Sequence, residues 1–278
     1  MPSGQRNVIE WLGEATSGDA ALGGKGASLD RLMRLGYRVP PGFCVTTAAF
    51  RAGGDGTEPL DADLAAALTV ALDRLESVVA GRTGGPARLA VRSSAIGEDG
   101  TVASFAGLHE TELDVHPADV PAAVGRCWAS LASDAAVAYR ARRGLSSDDA
   151  AMAVVVQALV PADAAAVVFT SHPVTGRDDQ LVITAARGLG DAMVAGTVTP
   201  DTFVIDRATN AVIEYTPGEG SGEPVLDATA LSELVELSLG VERDFGRAVD
   251  IEAAMTGNDW YLLQARPITT AAPAGMGS

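Results

Sequence analysis

The sequence predicts an α+β protein built as two lobes. In the first half, apolar residues recur at helical spacing in residues 27–35 and 64–79. In the second half, short β-rich apolar runs alternate with turn residues instead. Because this change falls near Ala150, we predict an N-terminal lobe of residues 1–150, a C-terminal lobe of residues 151–270 and a disordered tail at 271–278. A cleft between the lobes is the expected ligand site.

The elements of the first lobe follow from its turn residues and apolar runs. Gly36 can end the helix at residues 27–35, and Val39-Pro40-Pro41-Gly42-Phe43 forms a rigid turn. Beyond it we expect a short strand or helix start at 44–47, a loop at 51–59, the helix at 64–79, a glycine-rich loop at 81–86, a strand at 88–91, a polar loop that reaches residue 103, an alternating stretch at 108–115, and one or two helices within 117–142.

The second lobe is predicted to be mainly strands. Its turn residues divide it into strands at 152–160, 165–170 and 180–184, a hairpin of 202–205 with 212–215, a loop at 218–224, a helix at 231–245, and a final hairpin of 248–255 with 260–268. The final hairpin turns through Gly257-Asn258-Asp259.

Charge and composition exclude several classes of partner. The formal net charge of −16 would repel nucleic acid and an anionic membrane surface. No apolar run is long enough to cross a bilayer, and residues 1–6 lack the pattern of a signal peptide, so we expect a cytoplasmic protein. Cys44 and Cys127 lack metal-like spacing, and we expect both to be small core residues.

Lys25 is the only lysine in the chain, and it lies in Gly23-Gly24-Lys25-Gly26. The turn precedes the helix at residues 27–35, and a helix N-terminus favours anions. It is not a Walker P-loop, because Gly26 follows the lysine where that motif needs Ser or Thr. Lys25 is therefore a candidate phosphate ligand, with a solvent-facing lysine as the alternative.

The final hairpin places four polar residues on one face if its turn centres on Asn258. Glu252 then lies opposite Gln264 and Asp250 opposite Arg266, because alternate side chains share a face. The other face, predicted to be core, carries Val249, Ile251, Tyr261 and Leu263. The polar row is either a solvated face or a platform for Mg²⁺ and phosphate, with oxygen ligands from Glu252 and Gln264.

Arg92 follows the apolar strand at residues 88–91, and we expect it to project from the end of that strand. A planar guanidinium at this place could bind phosphate through two hydrogen bonds. The alternative is that Arg92 pairs with Glu98 or Asp99 and holds the following loop.

Eight motifs, in order, resemble those of one family. They are Leu22-Gly23-Gly24-Lys25-Gly26-Ala27-Ser28-Leu29, Val39-Pro40-Pro41-Gly42-Phe43, Val91-Arg92-Ser93-Ser94-Ala95 with Glu98-Asp99, Ser104-Phe105-Ala106-Gly107, Gly188-Leu189-Gly190, Val198-Thr199-Pro200-Asp201, Asp250-Ile251-Glu252 and Leu263-Gln264-Ala265-Arg266-Pro267-Ile268-Thr269. The chain resembles the nucleotide-binding domain of phosphoenolpyruvate synthase, pyruvate phosphate dikinase and rifampin phosphotransferase. The resemblance implies an ATP-grasp fold with ATP in the cleft between two lobes.

The resemblance also implies the residues that bind ATP and Mg²⁺. Carried over by position, the phosphate ligands with catalytic roles are Lys25, Arg92 and Arg266. Further ATP contacts come from Gly107 and Thr111 beside the phosphates and ribose, and from Gln157, Leu159 and Val160 beside the adenine. Glu252 and Gln264 would hold Mg²⁺.

In the family, ATP pyrophosphorylates a histidine on a swivelling domain, and the phosphoryl group then passes to pyruvate or an antibiotic hydroxyl on another domain. Nothing in this sequence matches those two domains. We therefore predict that a phosphohistidine-domain protein and an acceptor-domain protein are separate chains. His109, His116 and His172 are expected to be surface or loop-holding residues rather than the phosphocarrier.

Two alternatives remain open at this stage. One is a self-contained small-molecule kinase with Asp250 or His109 as the base. The other is a nucleotide-binding regulatory subunit without catalysis. It is motivated by Leu108, where the family has glutamine, and by the short stretch at residues 215–231. The chain could also be a fragment of a longer enzyme.

Overall fold

A computed structural model describes residues 7–53, 56–57, 59–83, 87–95, 111–143, 151–194, 196–218 and 222–268. The chain divides into two compact units. The first contains Met1–Arg34 and Pro40–Leu159, and the second contains Leu35–Val39 and Val160–Ser278. Each unit has an antiparallel sheet with helices, so the predicted α+β class is confirmed. No helix within the described ranges is long and apolar enough to cross a membrane.

The first unit is built on a five-stranded sheet with the order β1-β2-β5-β3-β4. Its strands are β1 (Ile9–Trp11), β2 (Gly42–Val45), β3 (Leu89–Ala95), β4 (Thr111–Val115) and β5 (Met152–Ala158). Its helices are α1 (Asp19–Arg34), α2 (Thr47–Gly53), α3 (Ala62–Thr83), α4 (Val120–Ala129) and α5 (Asp134–Arg143), with 3₁₀ turns at Pro117–Asp119 and Ser130–Ala132.

The two faces of this sheet differ in what covers them. One face forms the main core with α3 and α4, and its buried residues include Leu68, Leu75, Val91, Trp128 and Val154. The helix α1 packs against β3 and β5. It lies on the face opposite the core, where Gly26 approaches Cys44 and Val155.

The second unit is built on a six-stranded sheet with the order β11-β10-β6-β7-β8-β9. Its strands are β6 (Ala164–Phe169), β7 (Gln180–Arg187), β8 (Asp201–Asp206), β9 (Val212–Thr216), β10 (Val249–Thr256) and β11 (Asp259–Pro267). Its helices are α6 (Asp191–Val194) and α7 (Ala228–Phe245).

The helix α7 covers the final hairpin and is defined at both ends. At its start, the Asp227 side chain accepts a hydrogen bond from the Ala230 N–H. At its end, Gly246 is left-handed with φ 71°. The helix packs on β10 and β11, and the Trp260 indole N–H donates to the Ala230 carbonyl. The helix α7 therefore supports the hairpin that carries the polar row.

A short segment from the N-terminal half, Leu35–Val39, belongs to the second unit. The Leu262 N–H on β11 donates to the Arg38 carbonyl at 2.9 Å, and Arg38 forms an ion pair with Asp259. The Tyr37 hydroxyl donates to Asp244 at 2.5 Å, and burial together with that hydrogen bond raises the pKa of Tyr37 to about 12. This segment covers part of the β11 edge, which would otherwise expose unpaired backbone groups.

Most of the predicted helices and strands are present, and the exceptions are informative. The strand β5 was predicted to start the second lobe, but it lies between β2 and β3 in the first sheet. A fully buried apolar strand carries no signal for which sheet it joins. The predicted loop at 51–59 is helical as far as Gly53, the loop at 81–86 is helical as far as Thr83, and the irregular N-terminal stretch contains β1. The tail at 271–278 lies outside the described residues.

Asp201 begins β8 and fixes the short stretch before α7. Its side chain is 1% exposed, and its two oxygens accept the Gly218 and Val225 N–H groups, both at 2.7 Å. Asp201→Ala would leave these two partly buried N–H groups without this acceptor. We expect it to lower the free energy of unfolding by about 2–4 kcal/mol, measured by urea denaturation.

Asp206, at the other end of β8, is the matched control. Its carboxylate also accepts two hydrogen bonds, from the Thr209 N–H at 2.9 Å and the Thr209 hydroxyl at 2.6 Å, but it is not buried. Asp206→Ala is expected to cost about 1 kcal/mol or less. Equal losses in the two variants would show that the Asp201 contacts do not stabilise this stretch.

Candidate functional site

The glycine turn around Lys25 interrupts the helix α1. Gly23 has non-helical angles, φ 69° and ψ 174°, and α1 is kinked there. Lys25 follows two residues later and is 6% exposed, so the solvent-facing alternative is wrong. Its ammonium donates to the Ser93 carbonyl at 2.9 Å. The only lysine is thus held against β3, at the start of the helical segment that follows the kink.

Arg92 lies inside β3. The sequence predicts a position beyond the end of that strand. It is 9% exposed and pairs in register with Val155 on β5 and Thr111 on β4. The prediction was wrong because Arg and Ser favour loops by composition, whereas packing by α1 buries them here. Glu98 and Asp99, the alternative partners of Arg92, lie outside the described residues.

Lys25 and Arg92 lie on the same side of the first sheet. Residues directly opposite in an antiparallel pair point to the same face, so Arg92, Val155 and Thr111 share one face. A Cβ at Gly26, next to Lys25, would lie 3.5 Å from Val155, so α1 covers that face. The structure thereby brings three of the predicted phosphate contacts to one face, and Gly107 lies outside the described residues.

The predicted adenine contacts lie on β5 and just after it. Gln157 is buried, and its side-chain amide donates to the Pro40 carbonyl at 3.1 Å. The Leu159 N–H donates to the Arg88 carbonyl at 2.8 Å. Val160 begins the C-terminal part of the second unit. Gln157 therefore holds the chain before β2, and its contact with adenine stays a prediction.

The final hairpin has the predicted pairing for a reason that the sequence does not reveal. Glu252 lies opposite Gln264 and Asp250 opposite Arg266. The turn is shorter than expected, because Thr256 pairs with Asp259, and an irregularity beside Glu252 restores the register.

The bulge also changes which residues of β11 face the core. Trp260 and Leu262 are buried, whereas Tyr261 and Leu263 are only partly buried. The prediction that Tyr261 and Leu263 form the core face is therefore wrong, because one extra residue in β11 reverses the alternation between the turn and Gln264.

The polar row of the hairpin is not a solvated face. Gln264 is 5% exposed and Asp250 is 7% exposed. The Arg266 guanidinium binds the Asp250 carboxylate, with Nε–Oδ2 at 2.9 Å and Nη2–Oδ2 at 2.8 Å. Burial raises the pKa of Asp250 above its ordinary value, against the opposing effect of Arg266. Asp250 thus orients Arg266. Because its carboxylate is bound to that guanidinium, Asp250 is not placed to act as a base.

Glu252 and Gln264 are suited to a hard cation. They supply a carboxylate and an amide oxygen from directly opposed positions on neighbouring strands. The described ranges contain no group of three or more His, Cys, Asp or Glu that could hold a metal. The pair therefore fits Mg²⁺ only where phosphate oxygens and water complete its shell, as is usual for this ion.

The histidines and cysteines have structural roles where the structure describes them. The His172 Nδ1 accepts the Val174 and Thr175 N–H groups at 3.3 and 3.4 Å, and the His116 Nδ1 accepts the Ala118 N–H at 3.2 Å. Both therefore hold turns, as predicted, and His109 lies outside the described residues. Cys44 and Cys127 are both buried, and burial raises the pKa of the Cys44 thiol.

A buried lysine and a buried arginine on one face of the first sheet suit a phosphorylated ligand, and the carboxylate–amide pair of the second unit suits a metal ion. Comparison with known proteins defines the class further. Residues 56–276 match the family described as pyruvate phosphate dikinase, AMP/ATP-binding domain. The chain belongs to this family.

Several curated relatives are similar over nearly the whole chain. The prodigiosin synthesizing transferase PigC of Serratia marcescens is 37% identical over 95% of this chain and 33% of its own length. The rifampicin phosphotransferase of Streptomyces sviceus is 38% identical over 97% of this chain and 36% of its own length. A probable phosphoenolpyruvate synthase of Methanocaldococcus jannaschii is 33% identical over 94% of this chain and 27% of its own length. The chain thus spans about a third of the length of these relatives.

Solved structures with a similar backbone include D-alanine–D-alanine ligases. The enzyme from Bacillus anthracis matches 90% of this chain and 58% of its own at 9% identity, with a TM-score of 0.40. The enzyme from Helicobacter pylori matches 89% of this chain and 54% of its own at 8% identity, with a TM-score of 0.39. Similarity at this level is too distant to support a conclusion.

Proposed function

We propose that this chain is the ATP-binding component of a phosphotransferase of ATP-grasp type. It would bind ATP with Mg²⁺ and transfer a pyrophosphoryl group to a histidine on a separate swivelling domain or chain. An acceptor-domain protein would then pass the phosphoryl group to a pyruvate-like acid or to the hydroxyl of an antibiotic or other natural product. The observation that carries this proposal is that Lys25 and Arg92 are buried on one sheet face of a chain with net charge −16.

The proposed roles follow from what phosphoryl transfer requires, which is mainly positioning and neutralisation of charge. Lys25 and Arg92 would bind the ATP phosphates, as an ammonium and a guanidinium do well. Glu252 and Gln264 would hold Mg²⁺, which when bound lowers the charge on the phosphate oxygens. Asp250 would fix the guanidinium of Arg266, which neutralises charge on the transferring group.

The proposed route balances with ATP, the histidine, the acceptor and one water molecule. The bond that breaks joins the β-phosphorus to the oxygen that bridges the α- and β-phosphates, and this oxygen leaves with AMP. In the histidine route the β-phosphorus is attacked by an imidazole nitrogen, a P–N bond forms, and AMP leaves. The pyrophosphoryl-histidine then loses phosphate by hydrolysis, and the remaining phosphoryl group goes to the acceptor.

Product analysis tests this route. With ATP and Mg²⁺ alone, the chain is expected to bind ATP and release almost no AMP. Adding a histidine-domain protein of the family should produce AMP, measurable with ATP labelled at the α-phosphate, and a phosphorylated histidine, measurable with ATP labelled at the β-phosphate. The same partner with its histidine replaced by alanine is the control and should give no AMP.

Two other outcomes would replace the proposal. ADP made from a small acceptor without any partner would indicate direct transfer, although Asp250, its candidate base, is already paired with Arg266. ATP binding with no product under any of these conditions would indicate a regulatory subunit.

A further inference from the structure

Ser94 lies on β3 beside the lysine turn, and its hydroxyl bonds to both ends of that turn. The side chain is fully buried. Its hydroxyl donates to the Leu22 carbonyl at 2.8 Å and accepts the Gly26 N–H at 3.0 Å. Leu22 and Gly26 enclose Gly23, Gly24 and Lys25 in the sequence, so one hydroxyl joins the two flanks of the turn.

The two partners of Ser94, the Gly26 N–H and the Leu22 carbonyl, are the two groups that a regular helix would join to each other. In an uninterrupted α-helix, the N–H of residue 26 would donate to the carbonyl of residue 22, four positions earlier. Gly23 breaks the helical angles between them. The Ser94 hydroxyl bridges this donor and this acceptor, which is a recognised cause of a helix kink.

The turn also lies directly against the backbone of β3. A Cβ at Gly23 would lie 2.1 Å from the Ser94 carbonyl oxygen. The Lys25 ammonium donates to the Ser93 carbonyl at 2.9 Å. The kink, the lysine and the strand are therefore joined within two adjacent residues of β3.

We propose that Ser94 is a positioning residue that keeps α1 kinked and so holds the Lys25 ammonium where it binds the ATP phosphates. This inference rests on the proposed function. Without the hydroxyl, the Gly26 N–H and the Leu22 carbonyl can satisfy one another only as a regular helical turn does. The kink would then close, and Lys25 would turn away from Ser93.

The test is a double-mutant cycle on nucleotide affinity, measured by isothermal titration calorimetry. Ser94→Ala is expected to weaken ATP binding about tenfold, as befits the loss of two hydrogen bonds that hold one ligand. It should leave the affinity for adenosine unchanged, because adenosine has no phosphates. In a Lys25→Met background, Ser94→Ala should cause no further loss of ATP affinity.

Ser93→Ala is the matched control. Its hydroxyl is equally buried but lies on the opposite face of β3, and within the described part of the chain it has no hydrogen-bond partner. Removal of this hydroxyl should leave ATP affinity unchanged. If Ser94→Ala does not fold, Ser94→Cys provides the same test, since a thiol is a weak donor and acceptor, and an intermediate loss is expected.

Each outcome decides between the proposals. Wild-type ATP affinity in Ser94→Ala, an equal loss for adenosine, or the same loss with Lys25 and with Met at position 25 would overturn the role of Ser94 while leaving ATP binding intact. A wild-type chain that binds no ATP would instead refute the proposed function, and the role of Ser94 with it.

Discussion

Gly23→Ala is expected to lower the free energy of unfolding by about 3–5 kcal/mol and to abolish measurable ATP binding. A Cβ there would lie 2.1 Å from the Ser94 carbonyl oxygen and 2.6 Å from its carbon, which are backbone atoms of a central strand. The clash cannot be relieved by a side-chain rotation, so α1 must move away from β3. Chemical denaturation and nucleotide titration measure the two effects.

Gly246→Ala is the control for a positive φ without a clash; its ψ is 18° against 174° at Gly23, so part of the larger loss expected at Gly23 is backbone strain. Gly246 has φ 71°, close to the 69° of Gly23, but no atom lies within 4 Å of its added Cβ. It should therefore cost only about 1 kcal/mol, the strain of a left-handed alanine. If Gly23→Ala costs no more than this control, the contact between the turn and β3 is not tight, and the position of Lys25 lacks its proposed support.

Glu252→Gln is expected to remove most of the effect of Mg²⁺ on ATP binding. We expect the wild-type chain to bind ATP at least about tenfold more tightly with Mg²⁺ than with EDTA, because Glu252 would hold the ion beside the phosphates. The variant keeps a side-chain oxygen but loses the negative charge. Its affinity for ATP in EDTA should be equal to that of the wild type or higher, since a carboxylate near the phosphates repels them.

The control for this variant is Glu214→Gln. Glu214 is exposed on β9, in the same sheet, and its replacement changes the net charge by the same amount. It should behave as the wild type with and without Mg²⁺. A Glu252→Gln chain that keeps the full Mg²⁺ effect would show that the ion binds elsewhere.

The final hairpin shows how far the sequence could predict the site. The alternation of side chains and the symmetry about the turn placed Glu252 opposite Gln264 and Asp250 opposite Arg266. The same argument failed for Tyr261 and Leu263, because it assumes a regular strand pair. No residue type in this hairpin indicates that a bulge interrupts the pairing. The polar pairs and the buried Val249 and Ile251 on β10 agree with the prediction, although a shorter turn and a bulge set the register; the core residues of β11 could not be predicted.

Arg92 and Ser94 show where sequence reasoning failed. Both are polar residues inside a fully buried strand, which composition cannot distinguish from a loop. The strand is possible because the Ser94 hydroxyl is satisfied by α1, an element some 70 residues earlier in the chain. The Gly23-Gly24 pair is the one sequence feature that indicates a close approach of another backbone to this turn.

We propose that Lys25, Arg92, Glu252 and Gln264 all contribute to binding one ATP–metal complex. The most direct measurement is the anomalous signal of Mn²⁺ in crystals grown with ATP. We predict one strong peak bound by the Glu252 carboxylate, the Gln264 amide oxygen and phosphate oxygens, with Lys25 and Arg92 on the same triphosphate. A peak without these ligands, or a triphosphate that touches neither Lys25 nor Arg92, would contradict the account.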